Sequence, residues 1–235
     1  MGAIGVAVSA TRTRTQSREG RPATPARLGA AGASRLSGSE SRRWIGADII
    51  GHISVPSEPR LLDAAAADDG SLLERLSDLI NDVYATAESG LWRDGATRTT
   101  PAELAYLIRA GEIAVVTAGD RIVGSVRIQE LSDRVSEFGM LVAAPDRRGS
   151  GVGRALIDFA ERTSRERGRE AIQLELLLPR DWQHPSKEFL KAWYGRRGYQ
   201  VIRRAGVEEL YPHLAPLLAT PCDFTVYEKA LHDAV

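Results

Sequence analysis

Cysteine is almost missing from this chain: Cys222 is the one thiol among 235 residues. An internal disulfide framework and a metal site built on cysteine are thereby excluded. No set of His, Asp and Glu has the spacing of a metal site either, so no metal is expected. Long apolar runs are lacking too. No stretch reaches the length of a membrane-spanning helix, and none has the apolar core of a secretory signal. Lysine is absent from residues 1–50, which hold eight arginines and only three acids, Glu19, Glu40 and Asp48. That segment is rich in Ala, Gly, Ser and Thr and shows no sustained apolar period, so residues 1–54 read as a disordered extension. Aromatic residues that could stack bases are scarce there, with Trp44 alone among the arginines, and no nucleic-acid partner is expected. An Arg- and Ser-rich, acid-poor start is also the composition of an organelle transit segment. An extension with no role of its own is the plainer reading, and a cytoplasmic protein without a membrane partner is the expectation. A homodimer is one assembly open to such a domain.

The remainder, residues 55–235, is read as one domain. The chain is 43% apolar, ample for a core. "SLLERLSDLINDVYATA" carries Leu72, Leu76, Leu79, Ile80 and Val83 at helical spacing, and Ser71 with Glu74 suggests a capping box at its start. "TPAEL" predicts a second helix capped by Thr100, with Pro101 in its first turn and Gly111 beyond its end. "EIAVVT" and "RIVGSVRIQEL", separated by "AGD", read as an antiparallel hairpin. A strand over 137–144 follows, then a glycine-rich turn and an amphipathic helix. "AIQLELLL" reads as a buried strand, "SKEFLKAWYGRRG" as a helix ended by Gly198, and "YQVIRR" and "DFTVYEKAL" as two closing strands.

The glycine-rich turn, "APDRRGSGVGRAL", carries the chemistry. It joins an apolar strand to a helix whose Val152, Ala155, Leu156, Phe159 and Ala160 share one face. A helix start exposes backbone N–H groups without intrahelical partners and carries partial positive charge. Glycines let a bulky anion reach those groups, and Arg147 and Arg148 add full charges, so the turn suits phosphate. No lysine follows the glycines as a nucleoside triphosphate cradle requires, and the spacing G-x-G-x-x-G of a dinucleotide site is not met. What stands there is R-x-x-G-x-G, from Arg148 to Gly153. A plain packing turn is the competing reading.

This motif resembles the acyl-CoA pyrophosphate loop of the GNAT superfamily of N-acyltransferases. With a short first strand in "PRLLDAA", the order of elements resembles that fold from about Pro59 to Leu231: an α/β (α+β) architecture with a mixed, mostly antiparallel central sheet flanked by helices. The resemblance implies acetyl-CoA as co-substrate and an amine as acceptor. It places the cofactor against Arg147, Arg148, Gly149, Ser150, Gly151, Val152, Gly153 and Arg154. It also places the acyl carbonyl and pantetheine arm on the strand backbone at Leu141 and Val142, where Gly139 suggests a bulge. "WYGRRGY" resembles the family's terminal-helix signature, in which a tyrosine, here Tyr194, protonates the departing thiolate. Seven residues earlier many members have a cofactor-binding Asn; here Lys187 stands in its place, suited to a phosphate as a point charge.

Transfer to an amine also needs a proton acceptor. Glu175 interrupts "QLELLL" and Glu137 heads the preceding strand; lone acids in apolar runs have a partner or a task. In the family some members use a glutamate in the fifth strand and others one in the fourth, and Glu175 is ranked ahead of Glu137. His184 before Pro185 is a weaker candidate base. The acceptor is expected against "ESGLWRDGATRTT" and "PRDWQHPSK", where Trp92 and Trp182 could form walls and Glu88, Asp94 and Asp181 could hold an ammonium. The function expected is N-acetyl transfer to a primary amine by direct attack. The alternative is a non-catalytic acyl-CoA-binding or regulatory module of the same fold.

Overall fold

The computed structural model describes residues 6–7 and 55–231. Most of the expected N-terminal extension therefore lies outside the described residues. Of it, only the backbone of Val6–Ala7 is described, paired in parallel with Ala96–Thr97. A seven-stranded sheet is built from β1 (Arg60–Leu61), β2 (Ile113–Ala118), β3 (Arg121–Glu130), β4 (Val135–Ala143), β5 (Ala171–Pro179), β6 (Gln200–Gly206) and β7 (Cys222–Ala230). Their spatial order is β1-β2-β3-β4-β5-β7-β6. Neighbours run antiparallel except β4 and β5, which are parallel. Helices α1 (Gly70–Ala87) and α2 (Pro101–Arg109) lie between β1 and β2 in the chain. Helix α3 (Val152–Glu166) connects β4 to β5, and α4 (Pro185–Arg196) connects β5 to β6. This is the mixed, mostly antiparallel sheet flanked by helices that the order of elements implied.

Both faces of the sheet are covered, and the alternation along a strand shows it. On β2, Ala114 and Val116 pack with Phe138, Leu156, Ile157 and Tyr194, while Ile113 and Val115 pack with Leu76, Ile80, Leu104 and Ile108. Gly124 on β3 permits the close approach of α3: a Cβ there would stand 2.5 Å from Val152 Cγ1. Among the described residues no helix is long and apolar enough to cross a membrane.

Two local expectations need correction. Helix α1 is capped by Asp69, whose side chain accepts from the Leu72 N–H at 3.0 Å, and not by Ser71. Ser71 lies inside the first turn and accepts from Arg75. An aspartate and a serine two residues apart are both good caps, and the chain uses the earlier one. Between β6 and β7 the chain is not a plain connection. It forms the short helix α5 (Val207–Leu210) and a further turn at Ala215–Leu217, burying Val207, Tyr211 and Leu214 with Leu91, Leu177 and Phe224. The expected Thr100 cap is observed, its hydroxyl accepting from the Glu103 N–H.

Candidate active site

Three features of the sheet meet at the parallel junction. First, β4 and β5 pair over only three positions, Val135 to Glu137 against Ala171 to Gln173, so beyond Glu137 the two strands are not laddered together. Second, β4 carries a bulge there: Arg127 faces Gly139 and Ser125 faces Val142, which leaves two β4 residues opposite one of β3. The unusual backbone falls on Met140, with φ of 49°, and not on Gly139. Third, a cavity of about 130 Å³ opens at the parting and is lined by Glu137, Leu141, Glu175, Lys187 and Tyr194 together with Glu88, Trp92, Arg98 and Arg127. The structure thus brings both candidate bases and the candidate acid to one cavity.

Each carboxylate is held differently. Glu137 is buried, and its Oε1 accepts from Gln129 Nε2 at 2.6 Å. Gln129 Oε1 in turn accepts from Arg127, whose guanidinium also donates to Glu112 at 2.7 Å. Gln129, Glu137 and Gln173 sit directly across from one another, so the row is fixed by strand register. Glu175 lies one pleat further along the same face of β5, half-buried, and its Oε2 accepts from the Tyr211 hydroxyl at 2.6 Å. Tyr194 on α4 is buried among Phe138, Tyr199 and Tyr227. Burial, and next the nearby Tyr84, raises its hydroxyl above the ordinary tyrosine value, so it stays protonated at neutral pH.

At the other end of β4 the chain turns through Pro145–Arg147 into the glycines. Gly149 and Gly151 adopt φ of 78° and 88°, a left-handed backbone that costs glycine nothing. Gly151 is the N-cap of α3, and no side chain caps the helix. The N–H groups of its first turn therefore face outward with the positive end of the helix dipole. Arg148 and Arg154 are exposed beside them. Asp146, pinned by two hydrogen bonds from Arg121 at 2.8 and 3.0 Å, ties the turn to β3. A loop of this form can take a pyrophosphate.

Several expected contacts are not what the structure shows. Lys187 does not face the glycine loop. It is buried on the inner face of α4 and its Nζ donates to Glu88 Oε1 at 2.5 Å, so it is not a phosphate ligand. Glu88 is correspondingly occupied: its second oxygen accepts from Trp92 Nε1 at 2.6 Å. Burial alone would raise the Glu88 carboxyl, but the charge and hydrogen bond of Lys187, then Trp92 and Arg98, hold it below the usual carboxylate range. Trp92 lines the cavity and also a second, adjoining one that shares Tyr84, Glu88 and Arg98. Trp182 lines neither; its ring lies 3.9 Å over the site of a side chain that Gly90 lacks. His184 caps α4, accepting from the Ser186 N–H at Nδ1 and donating from Nε2 to the Ser89 carbonyl, so both ring nitrogens are committed. Among the described residues no group of His, Cys, Asp and Glu could hold a metal ion.

A family profile for an acetyltransferase (GNAT) domain matches residues 109–201, from the end of α2 to the start of β6, and so spans both the glycine loop and the parted strands. Over that stretch the chain is similar to the GNAT acetyltransferase domain. Among solved structures, an aminoglycoside 6'-N-acetyltransferase complexed with coenzyme A is 16% identical, over 75% of this chain and 98% of that one, with a TM-score of 0.54. PaiA N-acetyltransferase from Thermoplasma acidophilum, in complex with coenzyme A, is 15% identical over 74% and 98%, also at 0.54. YncA from Salmonella typhimurium with its cofactor acetyl-CoA is 13% identical over 77% and 97%, at 0.53. At these identities the likeness is one of fold. No curated protein sequence matches the chain.

The GNAT fold also makes plain what sequence reasoning missed. The segment after β6 enters the site through Tyr211, yet its Val207, Leu210, Tyr211 and Leu214 stand at i, i+3, i+4 and i+7, a helical apolar spacing that was there to be read. The supports of Glu137, Gln129 and Arg127, carry no local signal: they stand at alternate positions of β3, and the carboxylate they serve lies on the neighbouring strand.

Proposed function

We propose that the protein moves an acetyl group from acetyl-CoA to a primary amine by direct attack. The observation that carries this reading is one cavity, at the parting of β4 and β5, that Glu175 and the neutral phenol of Tyr194 both line. An amine with a pKa near 10 is neutral in only about one molecule in a thousand at pH 7, a penalty of roughly 4 kcal/mol. Glu175 accepts its proton, directly or through water, and Glu137 stands as the second candidate. Tyr194 donates to the leaving thiolate; its raised pKa keeps the proton on the hydroxyl throughout the neutral range. Backbone N–H groups of β4 past Glu137, about Leu141 and Val142, supply donors to the carbonyl oxygen as it becomes tetrahedral. The glycine loop from Arg148 to Gly153, with Arg147 and Arg154 beside it, holds the pyrophosphate.

No side chain is assigned as a covalent carrier. The chain's one thiol, Cys222, is pushed up to about 12 by burial and then by the charge of Glu88, so it stays protonated. Initial rates with both substrates varied are therefore expected to give intersecting lines, whereas parallel lines would indicate an acetyl-enzyme. Tyr194→Phe lowers kcat with little change in the KM for acetyl-CoA.

The cofactor half has its own test. Acetyl-CoA raises the melting temperature of the wild type, by about 2.7 kcal/mol of stabilisation at a hundredfold excess over Kd. Gly151→Asp brings a negative charge to the N–H groups the phosphate would use; the left-handed backbone at that position strains an aspartate, so the apo variant melts lower and its ligand-induced rise is read against its own apo value. The expected result is loss of the ligand-induced rise. An unchanged rise in that variant would remove the loop from the site.

A further inference from the structure

Tyr211 belongs to no motif of the fold and sits in the chain just past α5. Its ring is buried among Leu91, Leu177, Leu214 and Phe224, edge-on to Phe224 at 5.1 Å. Its hydroxyl donates to Glu175 Oε2 at 2.6 Å. The ring thus fixes where the hydroxyl is, and the hydroxyl fixes one oxygen of a carboxylate that projects from mid-strand. The surrounding segment is not loose. Leu217 O accepts from the Arg93 N–H at 2.9 Å, Leu218 O accepts from Arg93 Nε at 3.0 Å, and the Ala219 N–H donates to Leu91 O at 2.9 Å. The α1–α2 segment bound in this way carries Trp92, which lines the cavity. The connection between β6 and β7, the wall at Trp92 and the carboxylate at Glu175 therefore form one bonded unit.

We infer that Tyr211 is a positioning residue for Glu175: it fixes the carboxylate's rotamer at the cavity. The inference rests on the reading of Glu175 as the base. A general base must lie within hydrogen-bond reach of the proton it takes, and a carboxylate free to rotate spends part of its time elsewhere. The ring could be there for packing alone, so the test must separate the hydroxyl from the ring.

Tyr211→Phe does so, because the ring and its contact with Phe224 remain. CoA release from acetyl-CoA is followed for wild type, Tyr211→Phe, Glu175→Gln and the double variant, with the fastest amine of a primary-amine panel and in parallel with water alone as nucleophile. Tyr211→Phe is expected to lower kcat by about 10-fold while the KM for acetyl-CoA and the melting temperature stay close to wild type. In the Glu175→Gln background the same change is expected to cost nothing further, since a residue that acts through Glu175 has nothing left to act on. An equal loss from Tyr211→Phe with and without Glu175 would overturn the inference, as would a loss carried by the KM for acetyl-CoA. If Glu175→Gln is crippling and Tyr211→Phe silent, positioning alone fails. If Glu175→Gln keeps wild-type turnover, the base assignment fails and takes the positioning role with it.

Discussion

Replacing Glu175 by Gln is expected to lower turnover by about 10² to 10⁴-fold while acetyl-CoA binding is nearly unchanged. The amide keeps the shape of the side chain and can still meet the Tyr211 hydroxyl, so the strand and its neighbours have no reason to shift. What it cannot do is accept the ammonium proton. The control is Glu137→Gln on the same amine. Glu137 is held by Gln129 inside a buried polar row that runs back to Arg127 and Glu112, an arrangement suited to holding strand register at the parting. A smaller fall is expected for that variant. If Glu137→Gln were crippling and Glu175→Gln silent, the base would lie on β4.

The second large effect is on stability. Lys187→Met is expected to destabilise the fold by about 3–5 kcal/mol, read from urea or thermal unfolding, because it leaves the Glu88 carboxylate buried without its counter-ion. Both side chains are nearly inaccessible, at 4% and 8%, so water cannot take over. Trp92 keeps its hydrogen bond to Glu88 but brings no charge. The pH dependence follows in sign. Glu88 is held below its ordinary value, so the pair contributes stability above the unfolded glutamate pKa of about 4.3 and loses it as pH falls through the lower folded value. The gap between wild type and variant is thus widest near neutrality and closes in acid. Adding Glu88→Gln to the variant is expected to recover much of the loss, since a neutral pair leaves no stranded charge.

That pair also marks where sequence reading stops. The glycine loop was legible because its signal is local: a left-handed backbone at Gly149 and Gly151 and an uncapped helix start are written in adjacent residues. The strands were legible for the same reason, as β-branched runs broken by turns, although β4 begins at Val135, two residues before the expected start. Lys187 was assigned to a phosphate because its partner is 99 residues away, and nothing near it announces Glu88. Asp69 and Ser71 could each cap α1, and only the folded backbone selects between them. Tyr211 lay in a segment with a helical spacing but no motif, and its value to Glu175 depends on a contact across 36 residues.

On the proposed function, one cavity both binds acetyl-CoA and passes its acetyl group to an amine. The most direct measurement incubates the protein with carbon-13 acetyl-CoA and a panel of primary amines, and counts labelled N-acetyl product by mass spectrometry against CoA released, for wild type and Glu175→Gln. The expected result is one labelled amide per CoA with at least one amine in the wild type, and loss of that product in Glu175→Gln at undiminished acetyl-CoA binding. Acetyl-CoA bound at the glycine loop with no labelled amide from any amine, or the same yield from Glu175→Gln, would contradict it.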